Sequence, residues 1–127
     1  MKKTKFEIEY PLNTRSSTVL WDTISCASGL SEWFADDVNA VENDYIFSWK
    51  KYTQKACLIK MKPNVLIRFR WEEDKDTDCF FEIKITCSEL EGNLSLLITD
   101  YAEDDEIDDA ILLWDKHVEV LKRKIGI

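Results

Sequence analysis

The chain has 127 residues, of which 45% are hydrophobic and 12% aromatic. This length suits one domain, residues 1–127, that buries its own core, and the composition excludes a disordered or fibrous chain. Lysine and arginine number 17 against 25 acidic residues, and the resulting charge of −8 repels phosphate backbones, so we expect no nucleic-acid partner.

Cysteine spacing and hydropathy indicate where the protein acts. The four cysteines show no C-x-x-C spacing, and Cys79 and Cys87 lie in apolar strands, so we predict core thiols of a cytoplasmic protein. Glu7 and Glu9 interrupt any N-terminal apolar run, which argues against a signal peptide. The apolar run 110–114 is too short to cross a bilayer, so we expect no membrane insertion.

The first elements are a strand and two short helices. Phe6, Ile8 and Tyr10 alternate with glutamates, which predicts a half-buried strand that Pro11 stops. Ser16 or Ser17 can cap a helix. Its inward positions are Val19, Leu20, Ile24 and Ala27. Gly29 is predicted to break this helix from the next, which turns Leu30, Trp33 and Phe34 inward.

Hairpin-linked strands follow from residue 36. Strands are predicted at 45–49 and 55–61, and Pro63-Asn64 makes a tight turn between the second of these and the next strand. In that strand Val65, Ile67, Phe69 and Trp71 share one face, with Arg68 and Arg70 on the other. Polar residues 74–78 lead to a strand with inward Cys79, Phe81, Ile83, Ile85 and Cys87. Its outward Glu82 and Lys84 can pair with the two arginines. After Gly92-Asn93, Leu94, Leu96 and Ile98 alternate with polar residues.

The chain ends in a long amphipathic helix. Acidic residues between 103 and 109 precede or open it, where negative charge meets the positive helix end. Seven apolar residues then follow three- and four-residue spacing. They are Ile107, Ala110, Ile111, Trp114, Val118, Leu121 and Ile125. Such a helix can lie across the whole sheet.

Four blocks of sequence resemble the START-like, helix-grip superfamily, also described as SRPBCC or Bet v 1-like. They are Gly29 to Phe34, Phe47-Ser48-Trp49, Ile67 to Trp71, and Leu113-Trp114 with Leu121. The chain is most similar to small domains related to the activator of the ninety-kilodalton heat-shock-protein ATPase and to a START-like group common in bacteria. The resemblance implies an α+β fold: a curved antiparallel sheet of six to seven strands wrapped around a long C-terminal helix, in the order β-α-α-β-β-β-β-β-β-α.

The resemblance leaves three functions open, because one fold serves many functions. The first is a non-catalytic binding module that holds a small apolar or amphipathic ligand between the sheet and the C-terminal helix. The second is a protein-interaction domain, similar to chaperone co-regulators, that acts through its surface. The third is a polyketide-cyclase-like enzyme, for which the sequence offers few buried polar candidates.

The candidate ligand-lining residues are inward-facing side chains of the helices and the sheet, where the sheet and the last helix can leave a space between them. They are Trp33, Phe34, Phe47, Trp49, Phe69, Trp71, Phe81, Ile83, Leu96, Ile98, Asp100, Ile111, Trp114 and Val118. The alternative is that these rings fill the space themselves, since each aromatic buries roughly 150–250 Å². Asp100 continues the inward register of its strand and either places a carboxylate at the pocket end or lies where the strand frays.

Polar chemistry is sparse. His117, the single histidine, borders the core or faces solvent, and we assign no catalytic residue. The acidic stretch 100–109 lacks the ligand spacing of a calcium loop, so we expect no metal or cofactor. We expect a monomer or a weak homodimer. Phe80 and Leu97 lie out of phase with the inward register and could form an outer apolar patch that a partner covers.

Overall fold

One antiparallel sheet of seven strands forms the frame of the molecule, for which a computed structural model describes residues 2–87, 90 and 92–127. The strand order is β1-β7-β6-β5-β4-β3-β2, so β2 to β7 form a meander and β1 closes against β7. The strands are β1 (Thr4–Pro11), β2 (Asp37–Val41), β3 (Asp44–Trp49), β4 (Tyr52–Lys62), β5 (Leu66–Trp71), β6 (Phe81–Cys87) and β7 (Leu94–Ala102).

In the described part of the chain, three α-helices accompany the sheet: α1 (Ser17–Ser25), α2 (Ala27–Trp33) and α3 (Ile107–Ile125). The 19 residues of α3 reach about 28 Å at 1.5 Å per residue. Asp108 and Asp109 lie in its first turn, and Gly126 ends it in the left-handed conformation at φ 80°. The predicted α+β helix-grip order is confirmed, with seven strands.

The core lies between one sheet face and the helices. Trp114, Val118 and Leu121 of α3 are buried, as the helical stripe predicts. Leu20 and Ile24 of α1 and Leu30 of α2 are fully buried. The sheet contributes inward side chains with no exposed surface, namely Phe47, Ile67, Phe69, Ile83, Leu96 and Ile98. We call this group, with Leu20, Ile24, Leu30 and Leu121, the sealed core.

The outer sheet face is polar and paired. Arg68 and Glu82 lie opposite each other across β5 and β6, and their Nη2 and Oε1 atoms are 2.7 Å apart. This pair was predicted from strand alternation. Arg70 instead donates its Nε hydrogen to the Cys79 carbonyl oxygen at 2.9 Å. On the outer face, both arginines of β5 therefore contact β6 or the residues just before it.

Gly29 does not break the helices, contrary to the prediction. It is buried inside α2, and the break falls at Cys26, whose extended backbone ends α1. A Cβ atom on Gly29 would lie 2.7 Å from the Thr23 carbonyl oxygen and closer still to that of Asp22. The glycine is needed because the two helices approach too closely for any side chain.

Three predictions of burial are wrong. Val65 is 38% exposed, because it precedes β5, which begins at Leu66. Val19 is 49% exposed, because the short α1 buries only the face that carries Leu20 and Ile24. The four cysteines are not core thiols, since Cys26, Cys57 and Cys87 are exposed and Cys79 is half-buried. Cys87 is the last residue of β6, and Cys79 lies two residues before the strand begins.

Phe80 and Leu97 do not form an open apolar patch. Both are half-buried. The Phe80 ring packs edge-on against Tyr101 at 5.3 Å, and the Arg68 guanidinium carbon lies 4.2 Å from the Phe80 ring centroid. The guanidinium therefore covers the ring from solvent in a cation–π contact.

Candidate ligand-binding site

A partly enclosed cavity of about 180 Å³ lies between the sheet and α3. We call it the aromatic cavity. Its lining residues are Phe34, Trp49, Tyr52, Gln54, Trp71, Phe81, Asp100, Leu113, Trp114 and His117.

The aromatic cavity lies where β3, β5 and β7 approach their ends. These three strands run parallel to one another, because each alternates with an antiparallel neighbour. Near their ends they contribute Trp49, Trp71 and Asp100 to the cavity. The preceding inward residues are Phe47, Phe69 and Ile98, which are fully buried. On each of these strands, consecutive inward residues therefore belong first to the buried core and then to the cavity.

Five of the lining rings contact one another in a closed circuit. The ring centroids of Trp49 and Trp71 are 6.4 Å apart, and those of Trp71 and Phe81 are 4.9 Å apart. Trp114 follows at 6.2 Å from Phe81. Phe34 lies 5.5 Å from Trp114 and 6.0 Å from Trp49, which closes the circuit. Such contacts hold the rings in place, so the cavity walls are preformed.

Asp100 brings a carboxylate to these aromatic walls. Its Oδ2 accepts the Trp114 indole N–H at 2.8 Å, and its Oδ1 accepts the Tyr101 backbone N–H at 2.7 Å. Burial raises the pKa of Asp100 to about 6, although both hydrogen bonds favour the charged form. Strand β7 continues to Ala102, so the carboxylate belongs to an ordered strand and not to a frayed end.

An ion pair between Lys3 and Asp74 acts on the charge of Asp100. Lys3 Nζ lies 3.1 Å and 3.2 Å from the two carboxylate oxygens of Asp74, which is buried after β5. Lys3 lowers the pKa of Asp100 and Asp74 raises it, so the pair partly cancels. Asp100 therefore keeps a carboxylate charge that no direct cation neutralises among the described residues.

His117 borders the cavity beside Trp114, the α3 residue that donates a hydrogen bond to Asp100. Its ring centroid is 5.1 Å from that of Phe34 and 6.0 Å from that of Trp114. Burial lowers the pKa of His117, and a hydrogen bond with the Trp33 backbone opposes this shift. The imidazole is accordingly neutral at pH 7, which leaves Asp100 as the charged group of the site.

A family model described as a START-like superfamily domain matches residues 1–127. The chain belongs to the START-like superfamily. A solution structure of a protein from Bacteroides fragilis is 41% identical and has a TM-score of 0.69, with 100% of this chain and 94% of that chain covered. No curated protein matches the sequence.

More distant solved structures share the fold of this START-like domain. The Aha1 dimer from Colwellia psychrerythraea is 15% identical with a TM-score of 0.72, over 96% of this chain and 94% of that chain. DynU16, from the dynemicin biosynthetic locus, is 13% identical with a TM-score of 0.74, over 98% of this chain and 47% of that chain. At these identities the likeness concerns the fold alone.

The predicted lining residues of this START-like domain fall into two groups, apart from Ile111. Six lie at the aromatic cavity, namely Phe34, Trp49, Trp71, Phe81, Asp100 and Trp114. Seven others are buried away from it, namely Trp33, Phe47, Phe69, Ile83, Leu96, Ile98 and Val118. Ile111 is half-buried on α3. The role of these residues in binding a ligand stays a prediction.

Four lining residues were missed. Tyr52 and Gln54 begin β4, and Tyr52 stacks on Trp49 with centroids 5.0 Å apart. The prediction began this strand at residue 55, whereas β4 begins at Tyr52, which pairs with Trp49. An earlier start would have placed both residues in the strand. Leu113 directly precedes Trp114 and His117 directly precedes Val118, so both lie outside the predicted apolar stripe of α3. Only the packed position of α3 brings them to the cavity.

Other surface features offer weaker sites. An open depression of about 290 Å³ between β4 and β5 has a rim rich in both signs of charge, with Asp44, Lys55, Arg70, Glu72 and Lys75. Three carboxylates, of Glu103, Asp105 and Glu106, lie within 4.8 Å of one another before α3, where the positive helix end attracts them. Within the described part of the chain, no helix is long and apolar enough to cross a membrane.

Proposed function

We propose that this START-like domain is a non-catalytic binding module for a small apolar or amphipathic molecule held between the sheet and α3. The single observation that carries the proposal is a partly enclosed cavity of about 180 Å³ that is lined by five mutually contacting rings and one largely buried carboxylate. Ligand sites are typically preformed, mostly apolar and furnished with few polar groups. The aromatic cavity has this composition.

The volume limits the size of the ligand. Pockets for drug-sized molecules are roughly 300–1,000 Å³, whereas an apolar cavity of about 150 Å³ accommodates benzene. A cavity of about 180 Å³ therefore suits a molecule with a single ring and a short substituent. Its opening lies beside Tyr52 and Leu113, which are both more than half exposed.

The test uses two neighbouring leucines of α3 as a matched pair. Leu113 lines the cavity and is 54% exposed, whereas Leu112 is 58% exposed and lies outside it. Thermal unfolding would be followed with toluene, phenol and benzyl alcohol at rising concentrations. We expect at least one compound to raise the melting temperature of the wild type and of Leu112→Trp, because binding to the native state alone stabilises it.

In Leu113→Trp the larger side chain should obstruct the cavity and abolish the ligand-dependent shift. Equal shifts in all three proteins would place binding elsewhere and contradict the proposal. Native mass spectrometry of the gently purified protein gives an independent check, because a co-purified small molecule should be present in the wild type and absent from Leu113→Trp.

A second candidate function is protein interaction through the surface. Leu112 and Leu113 expose adjacent apolar side chains on α3, and Tyr52 is exposed nearby at the cavity mouth. The fold is shared with a protein solved as a dimer. Sedimentation velocity of the wild type and Leu112→Asp tests self-association: weakened association in the variant would support a homodimer, and identical monomers would exclude it.

We also propose that the domain acts in the cytoplasm. Cys26, Cys57 and Cys79 form no disulfide, and exposed reduced thiols persist in reducing compartments. Measuring free thiols in protein prepared from intact cells tests this, since disulfide-linked dimers would contradict it.

A further inference from the structure

We propose that the ligand of the aromatic cavity is a small organic cation, with an ammonium group attached to one ring or to an apolar group of similar size. This inference rests on the proposed binding function and names the class of molecule that the same site would take. The ammonium would bind Asp100, and the apolar part would lie among the rings.

The lining of the aromatic cavity carries a single negative charge, which favours a cationic ligand. Among the residues that the structure describes, Asp100 is the one acidic residue in the lining, and no lysine or arginine lies there. Lys3, whose charge lowers the pKa of Asp100, already contacts both carboxylate oxygens of Asp74. An anionic ligand would therefore meet an uncompensated negative charge in a poorly solvated place, whereas a cation would neutralise it.

Asp100 also retains room for another donor. A carboxylate offers about four lone-pair positions. The Trp114 indole and the Tyr101 backbone N–H occupy one position on each oxygen. Those two bonds fix the orientation of the carboxylate and leave further acceptor positions for an ammonium group, which supplies three donors in the case of a primary amine.

The aromatic walls favour the same class of ligand. Rings within about 6 Å attract a cation through their quadrupole, most strongly when the ring is tryptophan and the site is desolvated. Trp49, Trp71 and Trp114 all line this cavity, together with Phe34 and Phe81. A neutral molecule of the same shape would gain the apolar contacts but would leave the Asp100 charge unpaired.

Ionisation of the site agrees with this reading. Burial raises the pKa of Asp100 to about 6, so the carboxylate is mostly ionised at pH 7.5. His117 is neutral at that pH, because burial lowers its pKa. The site therefore presents one negative charge under the conditions in which a primary amine is protonated.

Three probes with the same ring separate charge from shape: benzylamine, benzyl alcohol and benzoate. Isothermal titration at pH 7.5 should give benzylamine an affinity at least about tenfold higher than that of benzyl alcohol, a difference of roughly 1.4 kcal/mol. Benzoate should not bind. Near-ultraviolet circular dichroism of each variant checks that the fold is intact.

A matched pair of variants assigns the preference to Asp100. In Asp100→Asn, benzylamine and benzyl alcohol should bind equally within about twofold. In Asp108→Asn, which removes the same charge from an exposed position of α3, the tenfold preference should remain.

The possible results distinguish the inference from the function on which it rests. If benzyl alcohol binds the wild type as tightly as benzylamine, or if the preference survives in Asp100→Asn, the cation proposal is overturned while the binding module stands. If no ring compound binds, charged or neutral, both are overturned.

Discussion

The sealed core and the aromatic cavity occupy the same face of the same sheet, yet they are packed differently. Phe47, Phe69 and Ile98 have no exposed surface. The next inward residues on those strands, Trp49, Trp71 and Asp100, border open space. The two regions are thus only two residues apart along each of β3, β5 and β7. At the boundary, the inward side chains change from Phe and Ile to Trp and Asp.

This difference indicates two roles for large side chains. In the sealed core they fill space and stabilise the fold through close packing. At the cavity they line space that they do not fill, and a carboxylate remains among them at a cost in stability. The sealed core should therefore be the more sensitive region in stability measurements, and the cavity the more sensitive one in binding measurements.

The largest expected effect is a loss of unfolding free energy that differs between the two regions. Phe69→Ala should lower the free energy of unfolding by about 3–5 kcal/mol, because it leaves a cavity in close-packed surroundings. Trp49→Ala should cost roughly half as much, since its half-buried ring already borders open space. Urea denaturation measures both. Equal losses would show that the cavity rings are as tightly packed as the core.

A substitution at Gly29 tests how closely α1 and α2 must pack against each other beside the sealed core. Gly29→Ala should destabilise by about 2 kcal/mol or more, because its Cβ would collide with backbone carbonyl oxygens of α1. Gly126→Ala is the control: its φ of 80° is left-handed but nothing lies within 4 Å, so we expect a loss of about 1 kcal/mol. A smaller loss at Gly29 than at Gly126 would mean that the helices can separate.

The carboxylate of the cavity should give a pH dependence that the sealed core cannot. The folded-state pKa of Asp100, about 6, lies above its ordinary value of 3.8. The folded state therefore binds the proton more tightly, and this contribution to stability is present below pH 4 and lost as the pH rises through 6. Relative to the wild type, Asp100→Asn should gain about 2 kcal/mol between pH 4 and pH 7.

Other groups near Asp100 should largely cancel in that comparison. Lys3, Asp74 and His117 are present in both proteins, so the difference between the two unfolding free energies isolates Asp100. The lost hydrogen bond to Trp114 or Tyr101 shifts the difference equally at every pH. Parallel stability curves for the two proteins from pH 4 to pH 7 would refute a raised pKa.

The smallest expected effect concerns how α3 is held over both regions. Tyr10 donates its hydroxyl hydrogen to Asp115 Oδ1 at 2.6 Å, which joins β1 to α3. Tyr10→Phe should cost about 1 kcal/mol, since the bond is charge-assisted but partly solvated. Chemical denaturation measures the loss. A double-mutant cycle with Asp115→Asn should give a coupling of similar size, and zero coupling would show that the bond contributes nothing.

Much of the fold could be predicted because its signals are local. Period-two alternation in residues 67–71 and 94–98 and the helical stripe of residues 107–125 each reflect one buried face, and the structure confirms these elements. The pairing of Arg68 with Glu82 followed from the same alternation. Errors occurred where local pattern and tertiary contact disagree, as at Gly29, Val19 and the four cysteines.

The candidate site was predictable only in part. Inward register identified Trp49, Trp71 and Asp100 as inward-facing. It could not distinguish them from Phe47, Phe69 and Ile98, because both sets share one face and differ only in how far the helices reach along the strands. His117 and Leu113 were missed, because neither belongs to the apolar stripe of α3.

The amino-acid sequence by itself determined the order of the elements, the sheet face that is buried and the acidic start of the last helix, because these depend on periodicity and on charge near a helix end. The tertiary structure alone decided where packing stops. Whether an inward side chain fills the core or lines a cavity depends on the distance between α3 and the ends of β3, β5 and β7, and that distance results from all the packed side chains together.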